Sequence, residues 1–133
     1  MNSSSPVSRS GRFSGGPAAD VARFTESISF DWRLWRHDLL GSMAHATMLR
    51  KIGILNRKEQ MAIIKGLDEI GAEIADEKFV WKPELEDVHM NIEAELTRRV
   101  PAGAKLPTAR SRNGQVALDV RRWLRAARLR LPR

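Results

Sequence analysis

Residues 56–75 read "NRKEQMAIIKGLDEIGAEIA". Within them Ile63, Ile64, Leu67, Ile70 and Ile74 recur chiefly at intervals of three and four, which lays one apolar stripe along a helix of 3.6 residues per turn. Asn56 followed three residues later by Glu59 has the spacing of a reciprocal N-terminal cap, so the helix has a defined start. A single striped helix is not stable by itself, and other elements must cover its apolar side.

The flanking segments supply them in the same idiom. Upstream, "AADVARFTESI" (about 18–28) sets Val21, Phe24 and Ile28 on one stripe. Asp31 is placed to cap a second helix from Trp32 to about Lys51, containing Leu34, Trp35, Leu39, Met43 and Ala46, and Gly53 stops it. Downstream, Pro83 sets the approach to a helix that begins between Glu84 and Asp87, buries Val88, Ile92 and Leu96 and ends at Pro101. After a loop of about ten residues, Val116, Val120, Trp123, Leu124 and Ala127 mark a last helix from roughly Ser111 to Leu131. Its apolar face has no evident partner within the chain. No period-2 strand is present, Asn113-Gly114 precedes a helical pattern and not a hairpin, and no repeat of solenoid period recurs. The expected fold is all-α.

The 133 residues, 42% hydrophobic and 29% charged, suit one soluble globular domain. The absence of cysteine excludes a disulfide framework, a thiolate metal site and a thiol nucleophile, and favours a reducing compartment. No segment approaches a membrane span, and residues 1–17, "MNSSSPVSRSGRFSGGP", lack the apolar core of a secretory signal; a flexible arm is the expectation there. The net charge of +7 invites a nucleic-acid reading, but six arginines lie in residues 121–133, "RRWLRAARLRLPR", leaving 17 basic against 16 acidic residues before them. The body is near neutral, which argues against a polyanion-binding domain. The tail reads either as a basic amphipathic helix for lipid or nucleic acid, or as a helix whose apolar face belongs against other helices, and the second is expected.

Candidate sites follow from local chemistry. In "TARSRNG" (108–114) a helix start brings free N–H groups together with Arg110, Ser111, Arg112 and Asn113. That set makes a carboxylate or phosphate site, or else a simple cap with two solvated arginines. In "ELEDVHMNIEAEL" His89 is three residues from Glu86 and four from Glu93, so one imidazole could sit between two carboxylates on one helical face. Ser27 and Asp31 have the spacing of short polar caps at a helix junction. His37 and His45 are eight apart, and with no close His or Cys set no metal site is expected.

The segments "GRFSGG", "FTESISFDWRLWRHDLLGSMAHATML", "GILNRKE", "GLDEI", "ELEDVHMNIE" and "GAKLPTARSRNGQVALDVRRWLR" occur in this order. Together they resemble the N-terminal part of the argininosuccinate lyases, members of the aspartase/fumarase superfamily that includes the lens delta-crystallins. The resemblance spans about residues 11–125, and "EDVHMN" and "TARSRN" are its specific motifs. It implies a cytoplasmic homotetramer of arginine biosynthesis that splits argininosuccinate into arginine and fumarate by β-elimination, with no metal or organic cofactor. Residue by residue, it implies substrate contacts at Ser27, Ser111, Arg112 and Asn113, and supporting roles for Asp31, Asp87, His89 and Thr108. It implies no catalytic residue in this chain, because the family's Thr-His pair and mobile serine loop have no counterpart here. On this reading residues 1–17 are an arm, 18–110 a helical N-terminal lyase-like domain, and 111–133 the start of a truncated bundle helix with an arginine-rich tail. The chain is then an N-terminal fragment; a non-catalytic helical module that pairs with full-length lyase subunits is the alternative. Two departures fall in the substrate loop: Pro107 stands where the family has His in Lys-Leu-His-Thr, and Gly114 where it has Asp in Ser-Arg-Asn-Asp.

Overall fold

The computed structural model describes residues 18–129. Its α-helices are α1 (Ala19–Thr25), α2 (Ile28–Asp31), α3 (Trp35–Lys51), α4 (Arg57–Ala75), α5 (Val88–Arg99) and α6 (Arg112–Arg128). Short 3₁₀ turns at Trp32–Leu34, Pro83–Leu85 and Pro101–Lys105 connect them, and no strand occurs among the described residues. The fold is all-α, as the periodicity predicts.

Helices α3 and α4 form the central pair, and the turn between them is built from local hydrogen bonds. The Gly53 N–H donates to the Arg50 carbonyl at 3.0 Å and the Ile54 N–H to that of Leu49 at 2.9 Å, with Gly53 at φ +82°. This pairing satisfies two carbonyls at the end of α3 and needs a left-handed residue, which glycine adopts without steric cost. Asn56 then starts α4: its side chain accepts the Glu59 N–H at 2.9 Å, and the Glu59 carboxylate accepts the Asn56 N–H at 2.9 Å. Ile63, Leu67, Ile70 and Ile74 of α4 pack with Leu39, Ala46 and Leu49 of α3 and with Val88, Ile92 and Leu96 of α5. Gly66 and Gly71 let these helices approach; a Cβ at either would stand 2.9 Å from Leu96 or Leu39 respectively. At the rim, Arg99 of α5 makes two 2.7 Å bonds to Glu73 of α4 and holds Glu95 by a third at 2.6 Å. Hydrogen bonds from Arg98 and Arg99 outweigh partial burial and hold the Glu95 carboxyl at about 2.

Two expectations are corrected. Helix α1 buries none of its residues: Val21 and Phe24 are exposed, and Ile28 is buried on the separate α2. The helix breaks between them because the Ser27 and Ile28 N–H groups both donate to the Glu86 carbonyl, at 2.8 and 2.9 Å. Asp31 does not cap the next helix, whose α-helical part begins at Trp35; its carboxylate is engaged with Ser27 and Val88. Trp35 packs on the core while Trp32 stays at the surface.

Helix α6 leaves its apolar face without cover among the described residues, as the sequence suggests, and buries a face that the periodicity does not mark. Val116, Val120, Trp123 and Leu124 are 37–55% exposed, whereas Gln115 and Asp119 are buried. The helix turns its polar stripe inward because α3 presents buried polar groups there, Asp38 and Ser42. Gly41 of α3 permits the close approach, since a Cβ there would lie 3.3 Å from Leu118 Cδ2 and 3.6 Å from Asp119 Oδ1. The arm at 1–17 and the last four residues of the arginine-rich tail lie outside the described residues.

Candidate functional site

The start of α5 is assembled by acids. Asp87 is its N-cap and accepts the Met90 N–H at 2.6 Å. Asp31 Oδ1 accepts the Val88 N–H at 3.1 Å, and the Ser27 hydroxyl donates to Asp31 Oδ2 at 2.6 Å. Partial burial raises the Asp31 carboxyl above its ordinary value, with the hydrogen bonds from Ser27 and Val88 opposing the rise. Because the Ser27 proton is given to Asp31, its oxygen keeps lone pairs for an external donor.

His89, one turn into the interior, is 2% exposed and does not sit between Glu86 and Glu93. Its Nδ1 lies 3.0 Å from Asp38 Oδ1 and 3.5 Å from Asp119 Oδ2. Helix geometry alone misplaces it, because the α5 face carrying His89 is turned to α3 and α6. Burial disfavours the imidazolium, but the hydrogen bond and charge of Asp38, with the charges of Asp87 and Asp119, raise its pKa. Asp38 is lowered: burial opposes its charge, and the bonds from His89 and Gln115 and the nearby Arg110 outweigh it. Asp119, wholly buried beside the Asp38 carboxylate, is pushed up to about 7.

The 105–112 loop comes in from the other side. Ala109 adopts φ +56°, and the chain then turns Arg110 inward, where its guanidinium donates to Ser42 Oγ at 2.9 Å. Burial lowers the Arg110 pKa while Asp38 and Glu93 counteract it, so the simple reading of two solvated arginines fails. Arg112 donates to Gln115 Oε1 at 2.7 Å and to Glu93 Oε2 at 3.1 Å, and its Nε is 3.9 Å from Asp87 Oδ2. Ser111 occupies the N-cap of α6 without a side-chain cap bond, and both Ser111 and Asn113 are exposed. The first N–H groups of α6 have no carbonyl partner within the helix, so they and these two side chains are donors available to an anion. Thr108 is exposed, and its carbonyl accepts from His45 Nε2 at 3.0 Å.

Ser27, Asp31, Asp87 and Arg112 thus meet at one end of α5, with His89 behind them; Thr108 is not joined to that group by any hydrogen bond among the described residues. An open groove of about 1240 Å³ follows α5, with Arg110, Arg112 and Gln115 lining one end. Sequence reasoning missed Asp38, Asp119, Gln115 and Ser42. A signal existed: Asp38 and Ser42 fall on the same α3 stripe as Trp35, Leu39, Ala46 and Leu49, where an acid needs a partner. The Asp38, His89 and Asp119 ligand atoms lie within 4.8 Å of one another, so the three are also the residues that could hold a metal.

The sequence pattern of the lyase family matches residues 11–132. The chain belongs to the lyase family. Its relatives include argininosuccinate lyases of Pseudomonas aeruginosa (strain LESB58) and Pseudomonas entomophila (strain L48), each 60% identical over 116 residues, and that of Pseudomonas syringae pv. tomato at 59%. Each alignment covers 86% of this lyase chain and 25% of the relative, so the chain spans about a quarter of the length of the curated relatives it matches. No helix among the described residues of the lyase chain is long and apolar enough to cross a membrane.

Proposed function

We propose that this lyase chain supplies part of the substrate surface of an argininosuccinate lyase, which cleaves argininosuccinate to arginine and fumarate by β-elimination in arginine biosynthesis. The observation that carries the reading is the meeting of Ser27, Asp31 and Asp87 with Arg112, 3.9 Å from Asp87, in a chain 60% identical to enzymes of that name. Ser111, Asn113 and the planar fork of Arg112 suit the substrate's carboxylates, where charge accumulates when the adjacent proton leaves. Ser27, a hydrogen-bond acceptor once bonded to Asp31, suits a substrate N–H. Asp31, Asp87 and His89 hold these elements in place, and Thr108 anchors the loop through His45.

The catalytic acid and base belong, on this reading, to parts of the enzyme outside this chain, within a cytoplasmic homotetramer that needs no metal or organic cofactor. The isolated chain is therefore inactive. Mixing it with argininosuccinate and following fumarate absorbance should give no turnover above buffer, while an NMR titration with succinate should shift the amides of Ser111–Asn113. Absence of those shifts, or turnover by the chain alone, would overturn the reading.

A second reading rests on the exposed Val116, Val120, Trp123 and Leu124: a non-catalytic helical module that lays α6 on a full-length lyase subunit. Co-purification with such an enzyme, abolished by Trp123→Glu, would favour it.

A further inference from the structure

The interior between α3, α5 and α6 holds three ionisable side chains and too few donors for two carboxylates. Asp38 Oδ1 accepts from both His89 Nδ1 and Gln115 Nε2. That uses the Nδ1 proton of His89, and neither oxygen of Asp119, which is 0% exposed, receives a hydrogen bond. An ionised carboxylate left in that state is costly, whereas a carboxylic acid facing Asp38 is a donor facing an acceptor. The groups around Asp119 agree: Asp38 on α3, His89 on α5 and Arg110 on the loop face it, and burial together with Asp38 raises its carboxyl against the two cations. A metal fits less well, since the Gln115 amide donates into the cluster and the Arg110 guanidinium faces it.

From Asp38 the chain of bonds leads outward. Asp38 accepts only, which forces the Gln115 amide nitrogen toward it and so turns Gln115 Oε1 outward, where it receives Arg112 Nη1 at 2.7 Å. We propose that Asp119 and Gln115 are positioning residues: Asp119 keeps its proton and donates it to Asp38, and Gln115 relays the orientation of Asp38 to the guanidinium of Arg112. The relay joins a sealed core to the loop that carries Ser111, Arg112 and Asn113. Its importance for substrate rests on the proposed lyase reading, but its geometry is testable without any substrate.

The test is NMR of the full 133-residue chain at pH 6, reading the His89 ring nitrogens and the Arg112 guanidinium protons. Expected for the parent chain are an imidazolium at His89 and resolved Nη–H signals from an immobilised Arg112. Asp119→Asn replaces the acid donor by an amide donor without changing the charge of the cluster, so it should keep both signatures and move the His89 titration midpoint by less than about 0.5. Asp119→Ala should collapse the Arg112 signals into exchange-averaged ones. Should that variant fail to fold, Gln115→Leu carries the same test: it should release Arg112 Nη1, leaving the guanidinium held by Glu93 alone and its signals broadened, and leave His89 doubly protonated. The proposal is overturned if Asp119→Asn lowers the His89 midpoint by more than about one, the effect of removing a full charge. It is equally overturned if Arg112 is indifferent to Gln115→Leu, or if the purified chain carries a stoichiometric divalent metal that Asp119→Asn loses. Intact NMR signatures with no response of Ser111–Asn113 to succinate would uphold the relay and count against the substrate reading alone.

Discussion

His89 Nδ1 lies 3.0 Å from Asp38 Oδ1 across 51 residues of sequence, with both side chains 2% exposed or less. Neither group would enter an apolar interior alone, so each is the reason the other is tolerated there. The pair clamps α5 to α3, and Asp119 brings α6 against the same point.

This arrangement sets a pH dependence. The Asp119 carboxyl stands at about 7 in the fold, against about 4 unfolded, so the folded state holds a proton that the unfolded chain releases. Stability therefore falls as pH rises through that window. His89, also raised, acts in the same direction: its contribution is full below about pH 6.5 and is lost as pH rises through its folded value. Asp38, lowered, contributes above about pH 4 and loses that contribution as pH falls through its folded value. Urea unfolding should give maximal stability near pH 4 to 5, and a loss by pH 8 of at least about 1.4 kcal/mol, the equivalent of one pKa unit. A flat profile from pH 5.5 to 8 would contradict it.

The first turn of α6 should tolerate an acid at position 114. Gly114 is helical, no atom lies within 4 Å of a Cβ built there, and its φ is not positive. Gly114→Asp gains helix propensity and places a negative charge at the N-terminus of α6, worth together roughly 1 kcal/mol. A thermal melt should show the gain; destabilisation would show that this turn needs glycine.

Ala109 offers the converse. It holds φ +56°, where a Cβ is strained, immediately before Arg110. Ala109→Gly should stabilise the chain by roughly 1 kcal/mol, as relief of left-handed strain exceeds the entropy that glycine adds to the unfolded state. Denaturant midpoints of the two proteins check this.

Asn56→Ala removes the side chain that satisfies the Glu59 N–H. Its expected cost is about 1 kcal/mol, with Asn56→Gly costing only a few tenths beyond the parent. Equal losses in the two variants would mean that the cap contributes through something other than the freed N–H groups.

The exposed side of α6 should tolerate a charge. Leu124→Glu, on the 55% exposed side, should change stability by no more than about 0.5 kcal/mol while reducing self-association in sedimentation. Leu67→Ala, at a position with 0% exposure on α4, should cost about 2–5 kcal/mol and serves as the reference for core damage. A Leu124→Glu loss of that size would place α6 differently.

Much of the architecture was legible along the chain. The spacing of Ile63, Leu67, Ile70 and Ile74, the Asn56 and Glu59 pair, Gly53 and Pro83 specify α4, the turn before it and the approach to α5, because each depends on neighbours within one or two helical turns. The motifs at 86–91 and 108–113 pointed to the segments that meet at the end of α5. The partner of His89, the inward course of Arg110 and the buried face of α6 were not legible in that way. The apolar stripe of α6 had no partner in the sequence and stays exposed, but nothing in its spacing marked Gln115 and Asp119 as the buried face. Periodicity ranks the faces of one helix by their affinity for oil, but in this chain α3 had already placed Asp38 and Ser42 in the interior, and a buried carboxylate demands donors more strongly than an exposed valine demands cover. The sequence by itself determined which segments are helices and the ends that local caps and turns fix, as at Gly53 and Asn56; the tertiary structure decided the break between α1 and α2, the start of α3 and which charges meet, because these depend on groups brought together from distant positions, as 38, 89 and 119 are within 4 Å.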